Sequence, residues 1–148
     1  EVCDDCYSRP KEDFVQACLS TATLFQYMIG NADYSVPLSR NIKILKSEKD
    51  STYRVAPYDF DFSGLVNASY AIPNADYNHT TIRNRVFLGL CTDEELENTI
   101  KHFLSKQEEI MAYVENFDLL GKSARNDVKR YLLKFFKEIE KGEIVRPK

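Results

Sequence analysis

Two alternating segments joined by a charged turn constrain this chain more than any other feature. In NIKIL (41–45) and TYRVAPY (52–58), apolar side chains alternate with charged ones at the period of a half-buried strand. The KSEKDS turn between them (46–51) has the length of a hairpin connection. We therefore predict a β-hairpin over residues 41–59, with the outer ends of its two strands side by side.

Polar side chains crowd both outer ends of this hairpin. The stretch GNADYSVPLSRN (30–41) leads into it, and VAPYDFDFSG (55–64) leads out of it. Because the outer ends of a hairpin meet, four side chains are expected to converge: Asp33, Asn41, Asp59 and, where extended backbone continues, Asp61.

Such a cluster suggests a magnesium site. Carboxylates held close together repel one another unless a cation neutralises them. Hard oxygen ligands suit Mg²⁺, which prefers one or two carboxylates with phosphate oxygens and water. Phosphoryl transfer uses this set, with one Asp orienting or deprotonating the acceptor and an Asn and a second Asp holding the metal. The residues alone leave a second interpretation open, in which Asp33 belongs to a turn after a helix and Asp59 to an Asx-turn.

Outside the hairpin, the sequence predicts three helices and one long loop. Apolar periodicity predicts helices over residues 10–29, 92–116 and 123–141, the last two capped by Thr92 and Ser123. Residues 63–91 are expected to form a long ordered loop. The predicted fold is one α+β, mostly helical domain over residues 1–148, with a central β-hairpin and a C-terminal antiparallel helix pair.

Composition narrows the possible partners. The net charge is −3, which gives no argument for binding nucleic acid. No apolar run approaches the roughly 18 residues of a membrane span. Cys3 and Cys6 form one CxxC, which is half of a zinc site, a redox pair or a disulfide. Without a second ligand pair, a small zinc-stabilised domain is the weakest interpretation, and no zinc ligand is assigned.

Arg83 and Arg85 are spaced to share one face of a strand. They could bind an acidic or phosphorylated substrate. The favoured alternative pairs them with the surplus carboxylates of residues 1–120.

Taken together, these motifs resemble a known catalytic core. A helix ending in IGNADYS, the strand NIKIL and the stretch APYDFDFSG are similar in order and spacing to atypical protein-kinase-like proteins of the HipA-like and CotH-like type. More narrowly, residues 12–91 resemble a group of bacterial exported proteins with this core.

The resemblance implies a role for each polar residue. Asp33 matches the catalytic base, Asn41 and Asp59 match the metal-binding Asn and Asp, and Asp61 would be an accessory metal ligand. The cofactors would be Mg²⁺ and ATP, the partners a nucleotide and an unknown phosphate acceptor, and the fold that of a kinase-like C-lobe.

The nucleotide-clamping N-lobe has no counterpart in the sequence. We find no glycine-rich loop and no strand bearing a phosphate-pairing Lys. The N-lobe is therefore expected to lie outside this chain, which on its own is expected to be inactive. The resemblance also suggests export to the periplasm or cell envelope. The alternative function is a degenerate kinase-like fold acting there as a non-catalytic binding module.

Overall fold

The computed structural model describes residues 1–3 and 5–147. It is an α+β fold, mostly helical, as predicted. Its regular elements are α1 (Gln16–Ile29), β1 (Ile42–Lys46), β2 (Tyr53–Pro57), α2 (Asp93–Ser105), α3 (Gln107–Glu115) and α4 (Lys122–Glu140). Within the described residues, no helix is both long and apolar enough to cross a membrane.

The β-hairpin is present as predicted. Strands β1 and β2 pair antiparallel, with Ile42 opposite Pro57. A backbone hydrogen bond of 2.9 Å from Ser47 to Thr52 closes the turn. The apolar side chains of the alternating pattern are buried and the charged ones face solvent, which confirms the strands predicted from that alternation.

The N-terminal residues run along the outer edge of β1. Val2 lies opposite Leu45 in an antiparallel bridge, and the Cys3 amide donates to the Ile44 carbonyl at 2.8 Å. A disulfide joins Cys3 to Cys6, so these two sulfurs are bonded to each other and present no thiolate to zinc. Backbone hydrogen bonds thus hold the chain end beside the sheet, and the disulfide closes a short loop within it.

Helix α1 begins later than predicted. A short 3₁₀ turn occupies Lys11–Asp13, and Phe14 is then extended and pairs with Tyr53 at the edge of β2. The Val15 amide donates to the Tyr53 carbonyl at 2.9 Å, and regular helix starts only at Gln16. Helical periodicity from Pro10 onward was misleading because pairing with the sheet overrides it.

The C-terminal helices differ from the prediction in two places. The helix expected over residues 92–116 is broken at Lys106, where the Ser105 hydroxyl donates to the His102 carbonyl at 2.7 Å and competes with the backbone ladder. The N-cap of α4 is Gly121, not Ser123, and no side chain caps it. Thr92 does cap α2, its hydroxyl accepting from the Glu95 amide at 3.2 Å.

Helix α1 separates two apolar clusters. One cluster joins α1 to α2 and α4 around Phe135, which is fully buried, and the other joins α1 to the hairpin around Ile42 and Ile44. Because α1 is packed on both sides, its C-terminal end has a fixed position, and the Gly30–Asp33 segment follows directly from that end.

Candidate functional site

Asp33 and Asn41 are in direct contact. The Asn41 Nδ2 group donates to the Asp33 carbonyl oxygen at 2.6 Å and to Asp33 Oδ2 at 3.0 Å. Both partners are pure acceptors, which fixes the orientation of the amide. The Oδ1 atom of Asn41 accepts no hydrogen bond from the part of the chain that the structure describes, so an amide oxygen is left for a ligand.

Asn31 anchors the loop that carries Asp33. Its side chain is buried, accepts from the Asp33 amide at 2.8 Å and donates to Gln26 Oε1 at 3.1 Å. Asp33 itself keeps 42% of its side-chain surface exposed and has Arg40 Nε at 3.6 Å from Oδ1. It lies in a small cleft of about 200 Å³ whose other walls include Phe62, Asn74 and His79.

Asp59 and Asp61 form an acidic pair just after β2, at the open end of the hairpin opposite its turn. The Tyr58 amide donates to the Asn41 carbonyl at 3.1 Å, which continues the hairpin pairing and places Asp59 next to the Asp33–Asn41 contact. A hydrogen bond to the Asp61 carboxyl raises the pKa of Asp59, and the charges of Asp61 and Asp33 raise it further. The structure therefore brings the four predicted residues to one corner.

Positive backbone φ angles occur on both sides of this corner. Asn41 has φ +52° and Asp59 has φ +59°. This left-handed conformation is uncommon outside glycine, although Asn and Asp tolerate it best. Such conformations concentrate at functional sites, where surrounding structure holds them in place.

A second contact, which the sequence did not reveal, also joins the two motifs. The Gly64 amide donates to the Gly30 carbonyl at 3.0 Å, and Asn31 forms an antiparallel bridge with Ser63. The Tyr131 side chain packs against both glycines so closely that neither position has room for a Cβ atom. The glycines in GNAD and FSG were the available signal, but their partner Tyr131 lies far away in the sequence, on α4.

The corner offers few protein ligands for a metal ion. Among the described residues, no group of three or more His, Cys, Asp or Glu side chains is placed to hold a metal. Two carboxylates, Asp59 and Asp61, with the amide oxygen of Asn41 make a partial set of hard oxygen donors. Mg²⁺ commonly binds through one or two carboxylates and completes its shell with water and phosphate oxygens.

The acidic pair predicts a specific titration. We expect Asp61→Asn to return the Asp59 pKa toward its usual range, because it removes both the carboxyl hydrogen bond and the largest nearby charge. Since the folded-state pKa is raised, this carboxyl favours folding below its unfolded pKa and loses that contribution as pH rises through the folded value. Carboxyl ¹³C NMR titration of wild type and variant measures this, and an unchanged Asp59 titration in Asp61→Asn would contradict it.

Arg83 and Arg85 contact helix α4. Arg83 Nη1 lies 2.7 Å from Asp127 Oδ2, and Arg85 Nη1 lies 3.4 Å from Glu138 Oε2. Both carboxylates belong to residues 121–148, so the expectation that residues 1–120 supply the partners is wrong. The reason is that the loop before α2 packs across α4, a contact between segments distant in sequence. The two residues also do not form a strand.

An apolar groove of about 560 Å³ lies between α1 and β2. Residues of α1 and β2 line it together with Phe60, which directly follows Asp59. Cys18 lies in this groove, partly buried and packed against the cluster of α1 and the hairpin.

Comparison with protein-family models, curated proteins and solved structures gives no match for this chain. The resemblance to kinase-like proteins consequently rests on the motifs themselves, and the functional assignment below is a proposal.

Proposed function

We propose that this chain is the C-lobe of a kinase-like phosphotransferase that uses Mg²⁺ and ATP. The observation that carries the proposal is the double hydrogen bond from Asn41 Nδ2 to Asp33. It commits the nitrogen of the amide to the candidate base and leaves the oxygen for a metal, which is compatible with an Asp that accepts the proton and an Asn that holds Mg²⁺ in phosphoryl transfer.

The remaining residues have complementary roles. Asp59 and Asp61, with Asn41 Oδ1, would hold Mg²⁺, whose charge offsets the charge that develops on the transferred phosphoryl group. The repulsion that raises the Asp59 pKa is relieved when a cation binds. Asp33, half-exposed in its cleft, would accept the proton of an acceptor hydroxyl.

The surroundings supply space for both reactants. The 200 Å³ cleft at Asp33 has apolar walls and polar groups at Asn74 and His79, which suits a small hydroxyl-bearing group. The apolar groove beside Phe60 offers a surface for a purine ring. The missing N-lobe would cover that groove and clamp the phosphates.

Magnesium binding by this chain tests the proposal without requiring activity. We expect Mg²⁺ to shift the carboxyl ¹³C signals of Asp59 and Asp61, and Asp59→Asn to weaken binding about tenfold or more because one charged ligand is lost. Asn tolerates the positive φ of Asp59, so this substitution removes charge without adding backbone strain.

The matched control is Asp118→Asn, which removes a carboxylate from an exposed position outside the site. It is expected to leave Mg²⁺ affinity unchanged. If Mg²⁺ at millimolar concentration perturbs none of the site carboxyls, or if both variants weaken binding equally, the phosphotransferase proposal fails. The non-catalytic binding module then becomes the better proposal.

A further inference from the structure

A cleft with basic walls lies where the loop before α2, helix α4 and the C-terminal segment meet. It encloses about 460 Å³ and shares His79, but none of the proposed magnesium ligands, with the cleft at Asp33. The basic side chains in its wall are His79, Arg83, Arg85, Lys134 and Arg146, and the carboxylates in its wall are Asp76 and Glu138. The wall thus holds four full positive charges and two negative ones, while Asp127 and Asp93, outside the wall, pair with Arg83 and Arg146.

The inner wall of this cationic cleft is held rigidly by Arg85. Its side chain is only 3% exposed and donates to the carbonyls of Met28 and Tyr131, the latter at 2.7 Å. Arg85 and Arg83 both stack on the Tyr131 ring, 3.8 and 4.4 Å from its centroid. Two guanidinium groups are therefore fixed on one ring before any ligand arrives.

The outer rim of the cleft is formed by two exposed basic side chains, each in a weak ion pair. Lys134 is 73% exposed and 3.9 Å from Glu138, and Arg146 is 55% exposed and bonded to Asp93, itself 91% exposed. Exposed ion pairs contribute little free energy because water and salt screen them. An incoming anion can replace them at small cost.

We propose that the cationic cleft binds the phosphoryl group of a small phosphorylated molecule. Its volume falls in the range of small-molecule sites, roughly 300–1,000 Å³, and exceeds the space that a lone anion needs. A phosphate monoester carries about −1.5 to −2 charge and three acceptor oxygens at pH 7, so it can engage two of the cationic groups at once, which a single carboxylate does less well. Guanidinium and ammonium donors both suit phosphate oxygens. This site is independent of the magnesium site proposed above.

The two histidines of the chain make a direct test possible. His79 lies in the cleft and His102 lies on α2, outside it. Imidazole signals in ¹H–¹³C spectra are followed while O-phosphoserine or glucose 6-phosphate is added at constant ionic strength, with serine and glucose as the unphosphorylated controls. We expect the phosphorylated compounds to shift the His79 signals and leave His102 in place, and the controls to shift neither.

Variants of the rim supply the second arm. Lys134→Gln and Arg146→Gln should each weaken binding about tenfold, since each removes one charge-assisted hydrogen bond. Lys137→Gln removes the same charge from an exposed position of the same helix and should change affinity less than about twofold.

Each other outcome would overturn the proposal. These outcomes are no shift of His79, equal shifts of both histidines, or equal weakening by Lys137→Gln. Because His79 also lines the cleft at Asp33, the rim variants decide which of the two clefts the phosphorylated compound occupies. Asp59→Asn should leave phosphate binding unchanged, so failure of the magnesium site and failure of this cleft are distinguishable.

Discussion

Replacing Arg85 with Met is expected to lower the free energy of unfolding by about 3–5 kcal/mol, because it leaves Glu138 without its buried partner. Arg85 also donates to the Met28 and Tyr131 carbonyls, so the substitution removes hydrogen bonds between the end of α1 and the middle of α4. Burial raises the pKa of Tyr27 to about 12, so its phenol stays neutral at ordinary pH. The phenol donates to Glu138 but supplies no positive charge in place of Arg85.

Denaturant unfolding of a small set of variants tests this prediction. Arg130→Met, which removes an exposed Arg with 77% of its side-chain surface in solvent, should change stability by no more than about 0.5 kcal/mol. Adding Glu138→Gln to Arg85→Met should recover part of the loss, because the uncompensated charge disappears. A cost below about 1 kcal/mol for Arg85→Met would show that the network is not stabilising.

Replacing Gly30 with Ala is expected to destabilise the protein by about 3 kcal/mol. The positive φ of +66° accounts for about 1 kcal/mol. A Cβ atom at this position would also overlap the Tyr131 hydroxyl and lie 3.1 Å from Cζ of that ring, and overpacking of this kind typically costs about 1–3 kcal/mol. Tyr131 has little freedom to move, because it is buried and its hydroxyl donates to the Arg83 carbonyl at 3.2 Å.

Two comparisons separate these causes. Gly142 has φ +70° but no atom within 4 Å of an added Cβ, so Gly142→Ala should show the backbone cost alone, at most about 1 kcal/mol. In a Tyr131→Phe background, Gly30→Ala should cost roughly 1–2 kcal/mol less than in the wild type, because the overlapping oxygen is gone. Equal costs for the two glycine variants would contradict the assigned role of Tyr131.

Features that depend on nearby residues were predictable from the sequence. The hairpin follows from alternation around a short turn, and the end of α1 follows from Gly30. There the Gly30 amide donates to the Tyr27 carbonyl and the Asn31 amide to the Gln26 carbonyl, as in a Schellman motif. Because both features are local, the sequence could also predict that Asp33, Asn41 and Asp59 share a corner.

Features that depend on distant segments were not predictable. The sequence places Tyr131 on the apolar face of a helix, but the fit of its hydroxyl between Gly30 and Gly64 requires the full packing of α4 against the loop. Arg85 was expected to pair with carboxylates of residues 1–120, because its charge is visible in the sequence and its burial against α4 is not. The break at Lys106 arises from a single hydroxyl–carbonyl hydrogen bond, which helical periodicity cannot register.

The position of the N-terminal segment beside β1 bears on self-association. Unpaired strand edges act as templates on which further chains can add strands. Here Val2 and Cys3 pair with β1, and Val15 pairs with β2 at Tyr53, so both sides of a two-stranded sheet are partly occupied by the protein's own backbone. The Cys3–Cys6 disulfide closes a short loop within that segment, and Cys6 is buried in the cluster around Ile42 and Ile44, so the covered edge is also anchored in the core.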